Sequence, residues 1–64
     1  MTSFADNLKN LRKTLGLTQF NMAIKAGISP QMISQYELGK TQPNSATLRK
    51  LSDTFGVNID SLIN

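Results

Sequence analysis

The 64-residue chain contains no cysteine and no histidine. Without thiols it has neither a disulfide framework nor a thiolate metal site. Without imidazole it lacks the commonest general base and metal ligand. A Gly-rich phosphate loop and carboxylates paired at a usable spacing are missing as well, so an enzyme is not expected and no cofactor or metal is implied. Long apolar runs are also absent. No signal peptide or transmembrane run is visible, because the N-terminus is polar and Lys9 interrupts the first apolar pattern, and a cytoplasmic protein is the plain reading. There is no internal repeat, low-complexity tract or long linker.

What remains is a short chain with 39% hydrophobic residues, seven Lys and Arg against four Asp and Glu, and a net charge of +3. Residues 1–64 have room for one domain, and a chain of this size buries only about 60% of its unfolded surface, so every element must share one core. The basic excess favours a polyanionic partner. Three of the acids, Asp6, Asp53 and Asp60, lie outside the central stretch Thr18–Leu38, and only Glu37 falls within it.

That stretch, TQFNMAIKAGISPQMISQYEL, reads as two short helices around a turn at Gly27. Thr18 supplies an N-cap oxygen, and Met22, Ala23 and Ala26 form an inner face. Gly27 is suited to the left-handed backbone of a helix stop. Ile28 is placed to plug the angle between the helices. Ser29 caps the second helix, with Pro30 in its first turn, where no N–H is needed. Ile33 and Tyr36 face inward; Gln31, Ser34 and Gln35 form the opposite, polar face.

Around this stretch the chain continues in helical patterns. Thr2–Ser3 offers a cap for a first helix that carries Phe4, Leu8, Leu11 and Leu15 inward and stops at Gly16, with Asp6 near its positive end and Lys9 and Lys13 outward. Gly39 ends the third helix, and Asn44 after Pro43 caps a fourth with Leu48, Leu51 and Phe55 inside. Gly56 stops that helix. Asn58 caps a short fifth one with Ile59, Leu62 and Ile63, and Val57 with this apolar end completes the core or contributes to a dimer contact. Phe20 and Ile24 are anomalous: apolar residues four apart, expected to pack partly on neighbouring helices, with a subunit or domain contact as the alternative.

Gln19, Ala23, Gly27, Ile28, Ile33, Tyr36 and Glu37, followed by Gly39-Lys40, and then Pro43-Asn44, Thr47-Leu48, Leu51 and Phe55-Gly56-Val57, resemble the lambda-repressor-like (Cro-type, XRE-type) helix-turn-helix family of DNA-binding proteins, in register over nearly the whole chain. The resemblance implies an all-α, compact five-helix domain with the helix-turn-helix at helices 2 and 3, and a transcriptional regulator, foremost a repressor, that inserts helix 3 (about Pro30–Leu38) into the major groove of an operator. It implies base contacts from Ser29, Pro30, Gln31, Ser34 and Gln35. A Gln amide both donates and accepts, matching adenine N6 and N7 and adaptable to guanine, and residues i and i+4 stand on one face. Pro30 either touches a thymine methyl or simply starts the helix.

The same resemblance assigns phosphate contacts to Gln19 at a helix N-terminus and to Lys40, Thr41, Gln42 and Asn44 in a loop beside the DNA backbone. Leu38 departs from the frequent Asn, which removes one polar backbone contact. Asn21 likewise stands where a capping box would have Glu or Gln. Arg12 is the implied partner of Glu37, a structural ion pair that keeps the acid from repelling phosphates. A homodimer on palindromic double-stranded DNA is expected, its recognition helices about 34–36 Å apart. The rival reading is a DNA-binding antitoxin or the helix-turn-helix interaction module of a larger protein; the resemblance implies a bacterial or phage-encoded cytoplasmic product.

Overall fold

The computed structural model describes residues 3–64, which form five helices: α1 (Phe4–Thr14), α2 (Gln19–Ala26), α3 (Pro30–Glu37), α4 (Ser45–Phe55) and α5 (Ile59–Ile63). Each start has a local cause. The side chains of Ser3, Thr18, Ser29 and Asn44 accept hydrogen bonds from the N–H groups of Asp6, Asn21, Met32 and Thr47, at 3.2, 3.0, 3.2 and 2.8 Å. Thr2, offered by the sequence alongside Ser3, lies outside the described residues. Asn58 precedes α5 but makes no side-chain capping bond, contrary to expectation. This five-residue helix is held by packing, and by the Asn7 side-chain amide, which donates to the Leu62 carbonyl at 2.9 Å.

The core consists of Phe4, Leu8, Met22, Ala23, Ala26, Ile33, Tyr36, Leu51 and Leu62, so all five helices contribute. Phe4 and Tyr36 meet edge to face with ring centroids 5.5 Å apart, joining α1 to α3. Leu11, Leu17, Ile28, Met32, Leu48, Phe55 and Val57 pack around this cluster half-buried. Ile28 thus sits where the turn between α2 and α3 must be filled, and Val57 belongs to the core shell.

Four expectations about inward and outward faces need correction. Leu15 stands 44% exposed: its N–H still closes on the Leu11 carbonyl at the end of α1, but its side chain lines an open groove of about 440 Å³ with Leu17, Lys25, Thr54 and Phe55. Ile63 is exposed in the last turn of α5. Lys9 does not point fully outward but is half-buried, near enough to Glu37 to affect its titration. Finally, Phe20 and Ile24 are 59% and 63% exposed instead of packing on neighbouring helices. The buried face of α2 is the one carrying Met22, Ala23 and Ala26, and at 100° per residue Phe20 and Ile24 fall on the opposite side of the helix.

Candidate nucleic-acid interface

The α2–turn–α3 unit is fixed in angle by its turn. Gly27 adopts φ +69°, and its N–H and that of Ile28 close back on the carbonyls of Ile24 and Ala23. Ser29 then caps α3, with Pro30 in its first turn. Burial of Ile33 and Tyr36 turns the remaining face of α3 outward, where Gln31 and Gln35 are exposed, Ser34 and Pro30 are half-exposed, and Ser29 is exposed at the N-terminus. These five residues, expected to read bases, therefore share one accessible helix face and its start. The helix itself ends one residue earlier than expected, at Glu37, with Leu38 as its 64%-exposed cap.

Behind this face lies a charged lock. Arg12 Nε donates to Glu37 Oε2 at 2.7 Å and its Nη2 to Oε1 at 3.1 Å, a two-pronged guanidinium–carboxylate pair. Arg12 Nη1 also donates to the Leu17 carbonyl at 3.1 Å, and Gln19 Nε2 donates to Glu37 Oε1 at 3.1 Å. Burial pushes the Glu37 carboxyl upward. The hydrogen bonds from Arg12 and Gln19, with the charges of Arg12 and Lys9, outweigh that push and hold it below the usual carboxylate range. The hydrogen bond to Glu37 correspondingly raises the Arg12 pKa against the opposing effect of burial. Glu37 is thereby neutralised and turned away from the outer face of α3.

Of the residues expected to hold phosphates, Gln19 is half-buried and already commits one amide N–H to Glu37. At the start of α2, Thr18 takes the Asn21 N–H with its side chain and the Met22 N–H with its carbonyl, which leaves the Gln19 and Phe20 N–H groups outside the helical ladder. Lys40, Gln42 and Asn44 are exposed on the loop after α3, and Thr41 is half-exposed. Main-chain donors are fewer than the resemblance implies. The N–H groups of Gly39 and Lys40 are bonded to the carbonyls of Tyr36 and Gln35 at 3.1 and 3.0 Å. Asn44 uses its side-chain oxygen on Thr47, so only its NH2 can face an outside acceptor.

One contact has no counterpart in the sequence pattern. The Thr41 hydroxyl donates to Gln35 Oε1 at 3.3 Å, joining a loop residue to the outer face of α3. Across the whole unit, chemistry and shape agree: a short exposed helix with amide and hydroxyl groups, flanked by a helix start and a polar, lysine-bearing loop. Such a surface can enter a major groove and hold the adjacent backbone.

The model of the family described as helix-turn-helix matches residues 8–62. The uncharacterized HTH-type transcriptional regulator YqaE of Bacillus subtilis is 43% identical over 60 residues, 94% of this chain and 52% of that protein. The SPbeta prophage-derived uncharacterized HTH-type transcriptional regulator YonR of the same organism is 42% identical over 60 residues, 94% of this chain and 56% of that protein. The chain spans about half the length of these relatives. Among solved structures, the P22 c2 repressor in complex with synthetic operator 9T has a TM-score of 0.91 and 28% identity, covering 100% of this chain and 97% of that one.

Proposed function

This chain belongs to the helix-turn-helix family, and from that premise we propose that it is a sequence-specific DNA-binding transcriptional regulator, acting as a repressor. In this reading α3 enters the major groove of an operator. Ser29, Pro30, Gln31, Ser34 and Gln35 face the bases, while Gln19, Lys40, Thr41, Gln42 and Asn44 hold phosphates. The observation that supports it most directly is the match, over the full length of this chain, to a repressor solved with a synthetic operator. Beside it stands the exposed polar face of α3.

A module this small grips few phosphates, so the reading includes a homodimer on a palindrome with its half-sites one helical turn apart. The test is selection of bound sequences from a random duplex pool at moderate salt. An enriched palindrome with that spacing supports dimeric base reading; a single half-site supports a monomeric domain; no enrichment removes sequence-specific recognition.

A second reading is favoured by one specific observation, the 59% and 63% exposure of Phe20 and Ile24 on α2. In that reading the pair meets another protein subunit, as in a DNA-binding antitoxin or a helix-turn-helix module of a larger regulator.

A further inference from the structure

We infer that Thr41 determines which base Gln35 reads, by holding the Gln35 amide with its NH2 outward so that this position selects guanine over adenine. The inference rests on the reading of α3 as the recognition helix. It starts from the path of the chain after that helix. Gly39 adopts φ +75° and reverses the backbone, so that Lys40 N–H returns to the Gln35 carbonyl at 3.0 Å. One residue later the Thr41 hydroxyl donates to Gln35 Oε1 at 3.3 Å. The loop therefore grips Gln35 twice, once by its backbone carbonyl and once by its side-chain carbonyl. Thr41 is half-buried, whereas Gln35 is exposed, so the more fixed partner orients the freer one.

The consequence is chemical. A Gln amide that reads adenine in two-pronged fashion needs Oε1 for the N6 amino group and Nε2 for N7. With Oε1 turned to Thr41, the end left to face a base is Nε2, which carries two donors and no acceptor. The major-groove edge of guanine presents two adjacent acceptors, N7 and O6, and fits that donor pair; adenine offers one acceptor beside a donor, and its N6–H₂ meets the NH2 unfavourably. Had the amide the opposite orientation, with Nε2 donating to the Thr41 hydroxyl, Oε1 would face outward and favour the amino groups of adenine or cytosine. The two orientations thus predict different bases. Thr41 acts as a positioning residue: its single hydroxyl proton is committed to Gln35, so any grip it has on a phosphate falls to its main-chain N–H.

The experiment compares sequences selected from a random duplex pool by the wild-type protein and by Gln35→Ala, Thr41→Val and Thr41→Ser. Gln35→Ala identifies the position that this side chain reads, as the one whose preference collapses. There the wild type is expected to prefer guanine by about five-fold or more over adenine, the lower end of what a good base contact supplies. Thr41→Val keeps the shape but loses the hydroxyl, and is expected to admit adenine at that position alone; Thr41→Ser is expected to restore guanine. A loss of phosphate contact would instead lower affinity for all sequences together and leave the base ratios unchanged. Adenine or cytosine preferred by the wild type at this position overturns the inference, as does an unchanged base ratio in Thr41→Val or a Gln35→Ala variant that relaxes no position. Absence of any selected sequence for the wild type overturns base reading itself, and the inference with it.

Discussion

Glu37 is the one buried charged residue among the described residues, and its environment decides how the protein responds to acid. Its folded pKa lies below the ordinary value, so ionised Glu37 contributes stability that is fully present above the unfolded carboxylate pKa of about 4.3 and is lost as pH falls through the folded value. Thermal unfolding followed from pH 7 downward is therefore expected to show a falling midpoint below about pH 4.3, with a smaller fall in Glu37→Gln. Equal acid sensitivity in the two proteins would remove Glu37 from that role. Arg12→Ala leaves the carboxylate buried without its guanidinium, and is expected to cost about 3 kcal/mol in urea unfolding at neutral pH. A domain of this length holds together by roughly 3–10 kcal/mol, so that single change removes a large part of its stability.

At the same scale, side chains on the outer face of α3 and in the following loop separate by contact class. Gln31→Ala is expected to cost about 1–3 kcal/mol on a selected operator and to relax one base position, with little change on random DNA. Lys40→Ala is expected to weaken binding to both DNAs alike and to reduce the salt slope by about one unit. Titrations on both DNAs at several salt concentrations distinguish these outcomes. Equal losses on both DNAs for Gln31→Ala would remove it as a base reader.

Helices here are short, and their ends carry much of their definition. Isolated helices of eight residues are marginal in water, so α2 and α3 exist because caps and the shared core hold them. The turn between them tests this directly. At Gly27 an added Cβ would meet nothing within 4 Å, yet the backbone stands at φ +69°. Gly27→Ala therefore carries a backbone cost with no steric clash, expected at about 1–2 kcal/mol in denaturant unfolding. A cost near zero would mean that the turn relaxes and that the α2–α3 angle is less firmly set than this geometry requires. α5 is the contrasting element: it has no side-chain cap, and Leu62 with the Asn7 bond anchors it to the body.

For the whole molecule the decisive fact is the division between one small core and the surface left over. Among the described residues Phe20, Ile24 and Leu38 are the most exposed large apolar ones, each more than half exposed, and intramolecular packing does not account for them. If Phe20 and Ile24 meet another subunit, Phe20→Ser, Ile24→Ser is expected to reduce self-association measured by sedimentation, with the unfolding midpoint little changed because neither side chain is in the core. Unchanged association would remove that role. The net charge of +3 bears on the same scale, drawing the domain toward polyanions without specifying a sequence.

Sequence alone determined much of the scaffold, because its signals are local. Caps at Ser3, Thr18, Ser29 and Asn44, the glycine turn, and the spacing of Phe4, Leu8, Met22, Ala23, Ile33, Tyr36 and Leu51 each depend on residues within a turn or two of one another. The outer face of α3 was legible for the same reason, since burying Ile33 and Tyr36 leaves Gln31 and Gln35 outside. Tertiary structure decided what local spacing does not encode. Whether Phe20 and Ile24 find a neighbour, and whether Leu15 is covered at the end of α1, depends on how five helices divide one small core. The pairing of Arg12 with Glu37, 25 residues apart, was implied only by family resemblance, while the help of Gln19, the closeness of Lys9 and the bond from Thr41 to Gln35 had no signal in the chain. Hydrogen bonds of this kind are set by the angle and depth at which elements meet, and those exist only once the chain has folded.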